Sequence, residues 1–246
     1  VANKEPNRDD FEASATEQPR REQLIDWEAG FEFKKPKYAI NANVYYMDYK
    51  DQLVLTGKIN DVGAYTRVNV PRSYRAGIEL QVKYALNKYF NSSYNITLSQ
   101  NKIEEFTEYI DDYDQYTQVA IPHKNTNIAL SPSLTTNRTF NWKPNDKLSF
   151  FWTSKYTSRQ FLDNTQNNDR ILDAFFINDI NAHWTILNKT KFTMLLQLYA
   201  NNVLDVKYAP NGYTFSYIYD RTLTTSNNFY PMAGRNYWIS LKIDIK

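Results

Sequence analysis

An all-β fold is what this sequence predicts: about nine antiparallel strands of a transmembrane β-barrel. Three observations predict it. Apolar and polar residues alternate strictly over long stretches, which is the period of a strand with one apolar face. Tight turns and long connectors join these stretches in alternation, as in outer-membrane barrels. The apolar faces also begin and end in aromatic residues. The clearest stretch is "RVNVPRSYRAGIELQVKYA", Arg67–Ala85. Val68, Val70, Arg72, Tyr74, Ala76, Ile78, Leu80, Val82 and Tyr84 fall on one side, and Arg67, Asn69, Ser73, Arg75, Glu79, Gln81 and Lys83 on the other. A globular strand is usually about 5–6 residues. At about 3.3 Å per residue this one reaches on the order of 60 Å, enough to cross a bilayer and continue past it.

The other elements follow in order. Ile25, Trp27, Ala29, Phe31 and Phe33 oppose Asp26, Glu28 and Glu32. Tyr38, Ile40, Ala42, Val44 and Tyr46 oppose Asn41, Asn43 and Tyr45. Phe90, Tyr94, Ile96 and Leu98 then face away from Asn91, Ser93, Asn95 and Thr97. Ile128, Leu130, Leu134, Phe140 and Trp142 form the next apolar set, and Leu148, Phe150, Trp152 and Tyr156 the one after it. Phe176, Ile180, Ala182, Trp184 and Ile186 share a face, as do Phe192, Met194, Leu196 and Leu198. Tyr237, Ile239, Leu241, Ile243 and Ile245 close the series, and no helix is expected. "KPK", "LNK", "PND" and "NKT" read as tight turns. Thr56–Thr66, Glu104–Pro122, Leu162–Ile171 and Ala209–Met232 read as long loops at the opposite end. Arg72 and Arg138 fall on the apolar face near its rims, where their side chains can snorkel. Pro71 and Pro132 each delete a ladder donor and mark expected bulges.

Composition narrows the function. Cys is absent, which excludes disulfides, thiolate metal sites and Cys nucleophiles. A net charge of +2 provides no basic field for nucleic acid. No apolar run approaches a membrane helix, and no basic-then-apolar leader opens the chain. Aromatics reach 16% while Gly numbers only 6, which suits girdled or sugar-binding β surfaces rather than a phosphate cradle. A soluble, Tyr-rich carbohydrate-binding β protein and an outer-membrane barrel enzyme or pore are the alternatives to a transporter.

Several stretches carry a family resemblance. They are "VANKEPNRDDF", "EQLIDWEAGFEFK", "NANVYYMDYKDQLVLTG", "LYANNVLDVKYAPNGY" and "YPMAGRNYWISLKI". In their order they resemble the C-terminal half of the barrel of a TonB-dependent outer-membrane receptor. The resemblance implies a barrel of about 22 strands with a plug inside it. It also implies uptake of a scarce nutrient, a ferric siderophore by default, across the outer membrane of a Gram-negative bacterium, driven by the TonB complex. On that reading residues 1–21 are an extracellular loop, residues 22–246 are barrel, and the plug and first strands lie outside this sequence. The expected partners are outer-membrane lipid, the N-terminal plug and barrel half, the TonB complex and a surface lipoprotein. No cofactor and no enzymatic activity are implied. The family usually ends on an aromatic residue, whereas this chain ends "KIDIK".

Candidate chemistry is sparse. His183 shares a polar face with Asp179 and Asn181 and reads as a hydrogen-bonded lumen residue, and no Ser/His/Asp constellation accompanies it or His123. Glu104, Glu105, Glu108, Asp111, Asp112 and Asp114 lack the Gly and spacing of a Ca²⁺ loop and read as a solvated acidic loop. In Ala209–Met232, Tyr213, Phe215, Tyr217, Tyr219, Asp220, Arg221 and Tyr230 suit ligand capture at a barrel mouth. They suit contacts between loops, or with a lipoprotein, equally well. Tyr213, Tyr217, Tyr219, Arg221 and Tyr65 are the binding candidates. With nine hairpin-joined strands, the first and last run parallel, so Gln23–Lys34 and Gly234–Lys246 are expected to pair with strands outside this sequence.

Overall fold

The computed structural model describes residues 1–13, 18–59 and 65–245. Its elements are β1 (Ala2–Lys4), α1 (Arg8–Ala13), β2 (Glu22–Lys35), β3 (Tyr38–Ile59), β4 (Tyr65–Ala85), β5 (Phe90–Asp112), β6 (Thr117–Asn127), β7 (Leu134–Asn145), β8 (Leu148–Thr157), β9 (Gln160–Phe161), β10 (Ile171–Leu172), β11 (Phe175–Asn188), β12 (Phe192–Asn201), β13 (Asn211–Tyr219), β14 (Thr222–Tyr230) and β15 (Asn236–Ile245). Nine of them lie side by side in the order β2-β3-β4-β5-β7-β8-β11-β12-β15, each antiparallel to the next. The expected strands are therefore present. Along β2 beyond residue 24 and along the outer edge of β15 the ladder has no partner among the described residues, and β2 and β15 do not meet.

One end of the sheet holds the four tight turns. Asn87 and Asn145 build two of them: the side chain of Asn145 accepts from the Lys147 and Leu148 amides, and that of Asn87 from Tyr89 and Phe90. An Asn side chain standing in for a backbone acceptor is what stops the chain within two or three residues. Above the turns the alternation acts as expected. Trp27, Phe31, Val44, Ile78, Leu98, Trp152, Trp184, Leu198 and Leu241 are exposed on one face. The other face is polar and concave, since Glu28 on β2 and Thr135 on β7 border one cleft of about 360 Å³.

The single face read along Arg67–Ala85 needs correction. Val70 is fully buried, whereas Ile78, at the same parity, is exposed. The phase changes where Asp51 faces Pro71. Asp51 has φ 54°, a left-handed backbone that rotates the strand. Below it Tyr45 and Met47 share the inner cleft with Arg75. Above it Gln52, Val54 and Val70 turn inward: Gln52 accepts from Ser73 Oγ at 2.6 Å, and Val54 joins Val70, Ile103 and Ile128 in the buried cluster, with Phe106 beside it. Pro71, expected at a bulge, sits at this switch.

Three expected loops also carry regular structure. Glu104–Pro122 is not a loop, because β5 continues to Asp112 and turns into β6. Ala209–Met232 holds the hairpin β13–β14. Residues 1–21 contain β1, paired to the start of β2, and the short helix α1, where none was expected. Of the connector at Thr56–Thr66, residues 60–64 lie outside the described residues. β6 and β7 are one strand interrupted by residues 128–133, which oppose only 99–101 of β5. This excursion turns inward at Leu130, φ 51°, and contains Pro132, the second expected bulge. Its backbone is held by Ile128 N donating to Asn101 O and Ser99 Oγ donating to Pro132 O.

Candidate functional site

The hairpin β13–β14 leaves the sheet between β12 and β15 yet reaches β5. Tyr217 and Ile218 pair in parallel with Asp111 and Asp112 at the tip of β5. It therefore crosses the concave side of the sheet at its long-loop end. Asp220 and Arg221, φ 49° and 58°, form its two-residue turn. Two positive φ values define the type I′ turn whose twist matches a hairpin, but they are unfavourable for side-chain-bearing residues. Asp114 offsets this, its carboxylate accepting from the Asp220 amide at 2.9 Å and the Arg221 amide at 2.7 Å.

One face of the hairpin is buried. Gly212, Thr214 and Ser216 are buried. Thr214 and Ser216 bond across the hairpin to Asn227 and Thr225, at 2.7 and 2.8 Å. The key partner is Arg170, only 5% exposed. Its Nη1 donates to Glu108 Oε1 at 2.6 Å and Asp163 Oδ2 at 2.7 Å, and its Nη2 donates to Ser216 Oγ at 2.8 Å. Three connectors thus meet on one guanidinium. Burial alone would lower the Arg170 pKa, but the hydrogen bonds it donates to Glu108 and Asp163 outweigh burial and raise it. Asn164 extends the network, donating to Leu55 O and accepting from the Ala129 amide.

The opposite face carries Tyr213, Phe215, Tyr217 and Tyr219. The register places Thr222, Thr224, Ser226, Asn228 and Tyr230 on the same side. The Phe215 and Tyr217 rings stack at 6.3 Å, Tyr213 and Tyr230 lie 5.9 Å apart, and Tyr113 meets Tyr217 edge-on. Tyr213, Tyr217 and Tyr219 are thus brought together. Arg221 lies at the turn beyond them. Tyr65 is elsewhere: its hydroxyl donates to Gly212 O at 2.9 Å, anchoring the hairpin, and burial raises its pKa. A Cβ on Gly212 would meet Asn228 O at 2.5 Å and Leu162 at 3.0 Å, so the close approach requires glycine.

The acidic loop is more structural than expected. Glu108 serves Arg170 and lies 3.2 Å from His123, while Asp112 caps its turn by accepting from the Asp114 and Gln115 amides. Glu105 pairs with Lys124. Among the described residues no cluster of His, Cys, Asp or Glu could hold a metal. His183 contacts Gln197 at 3.3 Å on the polar face, between Phe151 and Tyr199. Arg170 had no signal in the sequence, because nothing local marks a residue two of whose partners lie 62 and 46 positions away.

The stretch "NNVLDVKY" with "GRNYW" ties β12 to β15. Asn202 donates to Val206 O and accepts from the Val206 amide, and the Arg235 amide donates to Asp205. Gly234 passes so close that a Cβ would meet Asp205 Oδ1 at 2.5 Å. Over residues 20–203 the sequence matches the family described as TonB dependent receptor-like, β-barrel. The chain belongs to the TonB-dependent receptor barrel family.

Solved structures share its fold. The ferric yersiniabactin uptake receptor FyuA from Yersinia pestis superposes with a TM-score of 0.61 at 14% identity, over 89% of this chain and 29% of its own. The ferric-catecholate import receptor Fiu from K12 E. coli gives 0.58 at 13%, over 92% of this chain and 28% of its own. The copper transporter OprC gives 0.66 at 13%, over 99% and 35%. The chain therefore spans about a third of the length of these TonB-dependent receptors. No curated protein matches the sequence.

Proposed function

We propose that this chain forms part of the barrel of an outer-membrane receptor that imports a scarce nutrient, energised by the TonB complex. The observation that carries this reading is the family match over a sheet with tight turns at one end and interlocked loops at the other. The siderophore and copper receptors of similar fold support a metal complex as cargo, with a ferric siderophore first. The exposed apolar face supports an outer-membrane location. In water, a band holding Trp27, Phe31, Trp152, Trp184, Ile239 and Leu241 would be a large sticky surface; lipid covers it at no cost. The open edges support further strands. Nine antiparallel strands put β2 and β15 parallel, and single-chain bacterial barrels close with an even number. Unpaired edges in lipid cost several kcal/mol per group, so strands of the same receptor cover them, with a plug against the polar concave face. The hairpin β13–β14 and its neighbours form part of the ligand-facing mouth, with Tyr213, Tyr217, Tyr219 and Arg221 nearest the cargo and Tyr65 holding the hairpin in place.

The test is uptake. Cells lacking the receptor should fail to accumulate labelled iron from ferric siderophores at limiting concentration. The restored receptor should recover uptake only with an intact TonB complex. Equal uptake in the deleted strain, or recovery without TonB, would overturn the reading.

A further inference from the structure

We propose that three cations on the outer wall, Lys50 of β3, Arg72 of β4 and Lys102 of β5, bind the phosphate groups of the outer-leaflet glycolipid, the lipid A part of lipopolysaccharide. The inference rests on the outer-membrane reading above and adds a lipid site to it. Its first ground is register. Lys50 and Arg72 stand directly opposite one another, and Lys102 stands opposite Tyr74, two residues along β4 from Arg72. Directly opposite side chains share a face, with Cβ atoms roughly 5 Å apart. Tyr74 belongs to the outward face, its ring stacked on Tyr46 at 5.8 Å. The intervening residues Ser73, Asn101 and Ile103 are buried on the inner side, while Lys50 and Arg72 are exposed and Lys102 half-buried on the outer one.

The second ground is height. The apolar band of this wall runs between two aromatic rows. Tyr38 and Tyr84 face one another beside the tight turns. Trp27, Tyr46 and Tyr74 form the row at the other rim, each ring 5.8 Å from the next. Lys50 and Arg72 each lie about twelve residues beyond the lower row, which is about 40 Å along the strand and about 30 Å along the membrane normal at a tilt of about 40°. The apolar band of such barrels is about 25 Å tall. The three cations therefore stand just outside the hydrocarbon at the long-loop end, at the level of outer-leaflet headgroups.

The third ground is charge. Like charges directly opposite on a sheet repel one another. Among the described residues none of the three is in an ion pair, although Asp48 and Glu104 lie on the same strands. Lys102 donates to Asn125 O at 3.2 Å and Gln166 Oε1 at 3.1 Å, both uncharged, which leaves one ammonium N–H to give. A phosphate placed among them relieves the repulsion: the Arg72 guanidinium can grip two of its oxygens and each lysine adds a point charge. Directly below, the Tyr46 and Tyr74 rings offer a flat surface to a sugar and the apolar wall continues toward the turns. A ligand that carries phosphate, sugar and acyl chain in that order fits all three zones, whereas free phosphate uses only the first.

The experiment uses the receptor purified from outer membranes and exchanged into detergent free of lipid. Three probes are compared by native mass spectrometry: bisphosphorylated lipid A, the same lipid A stripped of its phosphates, and phosphatidylglycerol. Bisphosphorylated lipid A should bind at least about tenfold more tightly than the stripped form, and excess inorganic phosphate should not displace it. Lys50→Gln, Arg72→Gln and Lys102→Gln together should weaken it at least about tenfold, and Arg72→Gln alone about threefold, with heat-modifiable gel mobility showing an intact barrel. If the triple variant fails to assemble, Arg72→Gln carries the test. Lys88→Gln with Lys147→Gln, at the tight-turn end, should leave the affinity within about twofold. Equal binding of the two forms of lipid A, equal binding of phosphatidylglycerol, displacement by inorganic phosphate, or an unchanged affinity in the Arg72 variant would each overturn the site while leaving the receptor reading intact. A receptor that does not sediment with the outer membrane would overturn that reading, and this inference with it.

Discussion

Below Asp51 and Pro71 the molecule is governed by period; above them it is governed by partners. In the lower half, the side chains of each strand alternate between an exposed apolar face and a polar concave face, and the specific constraint is at Gly77, where a Cβ would meet Leu98 O and the Tyr45 hydroxyl at 2.5 Å. The side-chain bonds there join neighbouring strands, as Trp152 and Ser154 do in donating to Asn178, and the turns close on local Asn side chains such as Asn145. In the upper half, β3, β4 and β5 run to 22, 21 and 23 residues, well past the ~9–11 that a tilted membrane strand needs. These extensions are held by a small buried cluster, Val54, Val70, Ile103 and Ile128, and by hydrogen bonds between segments far apart in sequence. The lesson is that the same strands obey two rules along their length, because the surroundings change and the backbone does not.

The contrast can be broken most severely at Arg170. Arg170→Met removes the guanidinium and leaves Glu108 and Asp163 close together and largely buried without it. Losing one partner of a buried ion pair costs about 3–5 kcal/mol. The expected result is rapid hydrogen exchange and protease cleavage in 158–175 and 209–232, with the turn-end half of the barrel still protected. Loss of protection throughout the sheet would show that the two halves are not separable.

A smaller effect is expected at Gly212. Gly212→Ala places a methyl against Asn228 O and Leu162, and overpacking of this kind costs about 1–3 kcal/mol. The hairpin should open locally, read as faster exchange of the β13 amides. Gly30→Ala is the control in the lower half, where a Cβ would meet Asn43 Oδ1 no closer than 3.6 Å; it should leave exchange unchanged. Equal effects at the two glycines would erase the distinction.

The smallest effect concerns pH. The Arg235 amide, with Lys207, holds the Asp205 carboxyl below its ordinary 3.8. A depressed folded pKa means that the contribution is present above the ordinary value and disappears as pH falls through the folded one. Asp205→Asn should therefore flatten the loss of protection of the Arg235 amide between pH 5 and the acid limit. Wild-type and variant profiles that coincide there would remove Asp205 from the β12–β15 tie.

The order of the nine side-by-side strands β2, β3, β4, β5, β7, β8, β11, β12 and β15 was legible because alternation and turn chemistry are local. Trp27 to Phe33 or Leu148 to Trp152 declare their faces within a few residues, and Asn145 declares a turn by its own side chain. The signature "NNVLDVKY" could likewise be recognised as a string, although its reason, Asn202 and Asp205 bonding around the approach of Gly234, needs the fold. The extended reading of Arg67–Ala85 as one face failed because the phase shifts where Asp51, a left-handed residue on the neighbouring strand, faces Pro71; Pro71 marks the place in the β4 sequence but not the change of face. Residues 104–122 and 209–232 looked like loops because polar residues and aromatics there follow no lipid boundary, yet they pair as strands.

By itself, then, the sequence determined the strand class, the number of strands across the sheet and the polarity of its two faces, since each depends on residues within one or two positions of each other. It also marked Tyr213, Tyr217 and Tyr219 as binding candidates within one segment. Only the tertiary structure decided what that segment touches. The meeting of Arg170 with Glu108, Asp163 and Ser216, the anchoring of Gly212 by Tyr65 and the capture of the Asp220–Arg221 turn by Asp114 join residues up to 147 positions apart. Such contacts are fixed by where the sheet brings its loop ends together, and no local pattern encodes that.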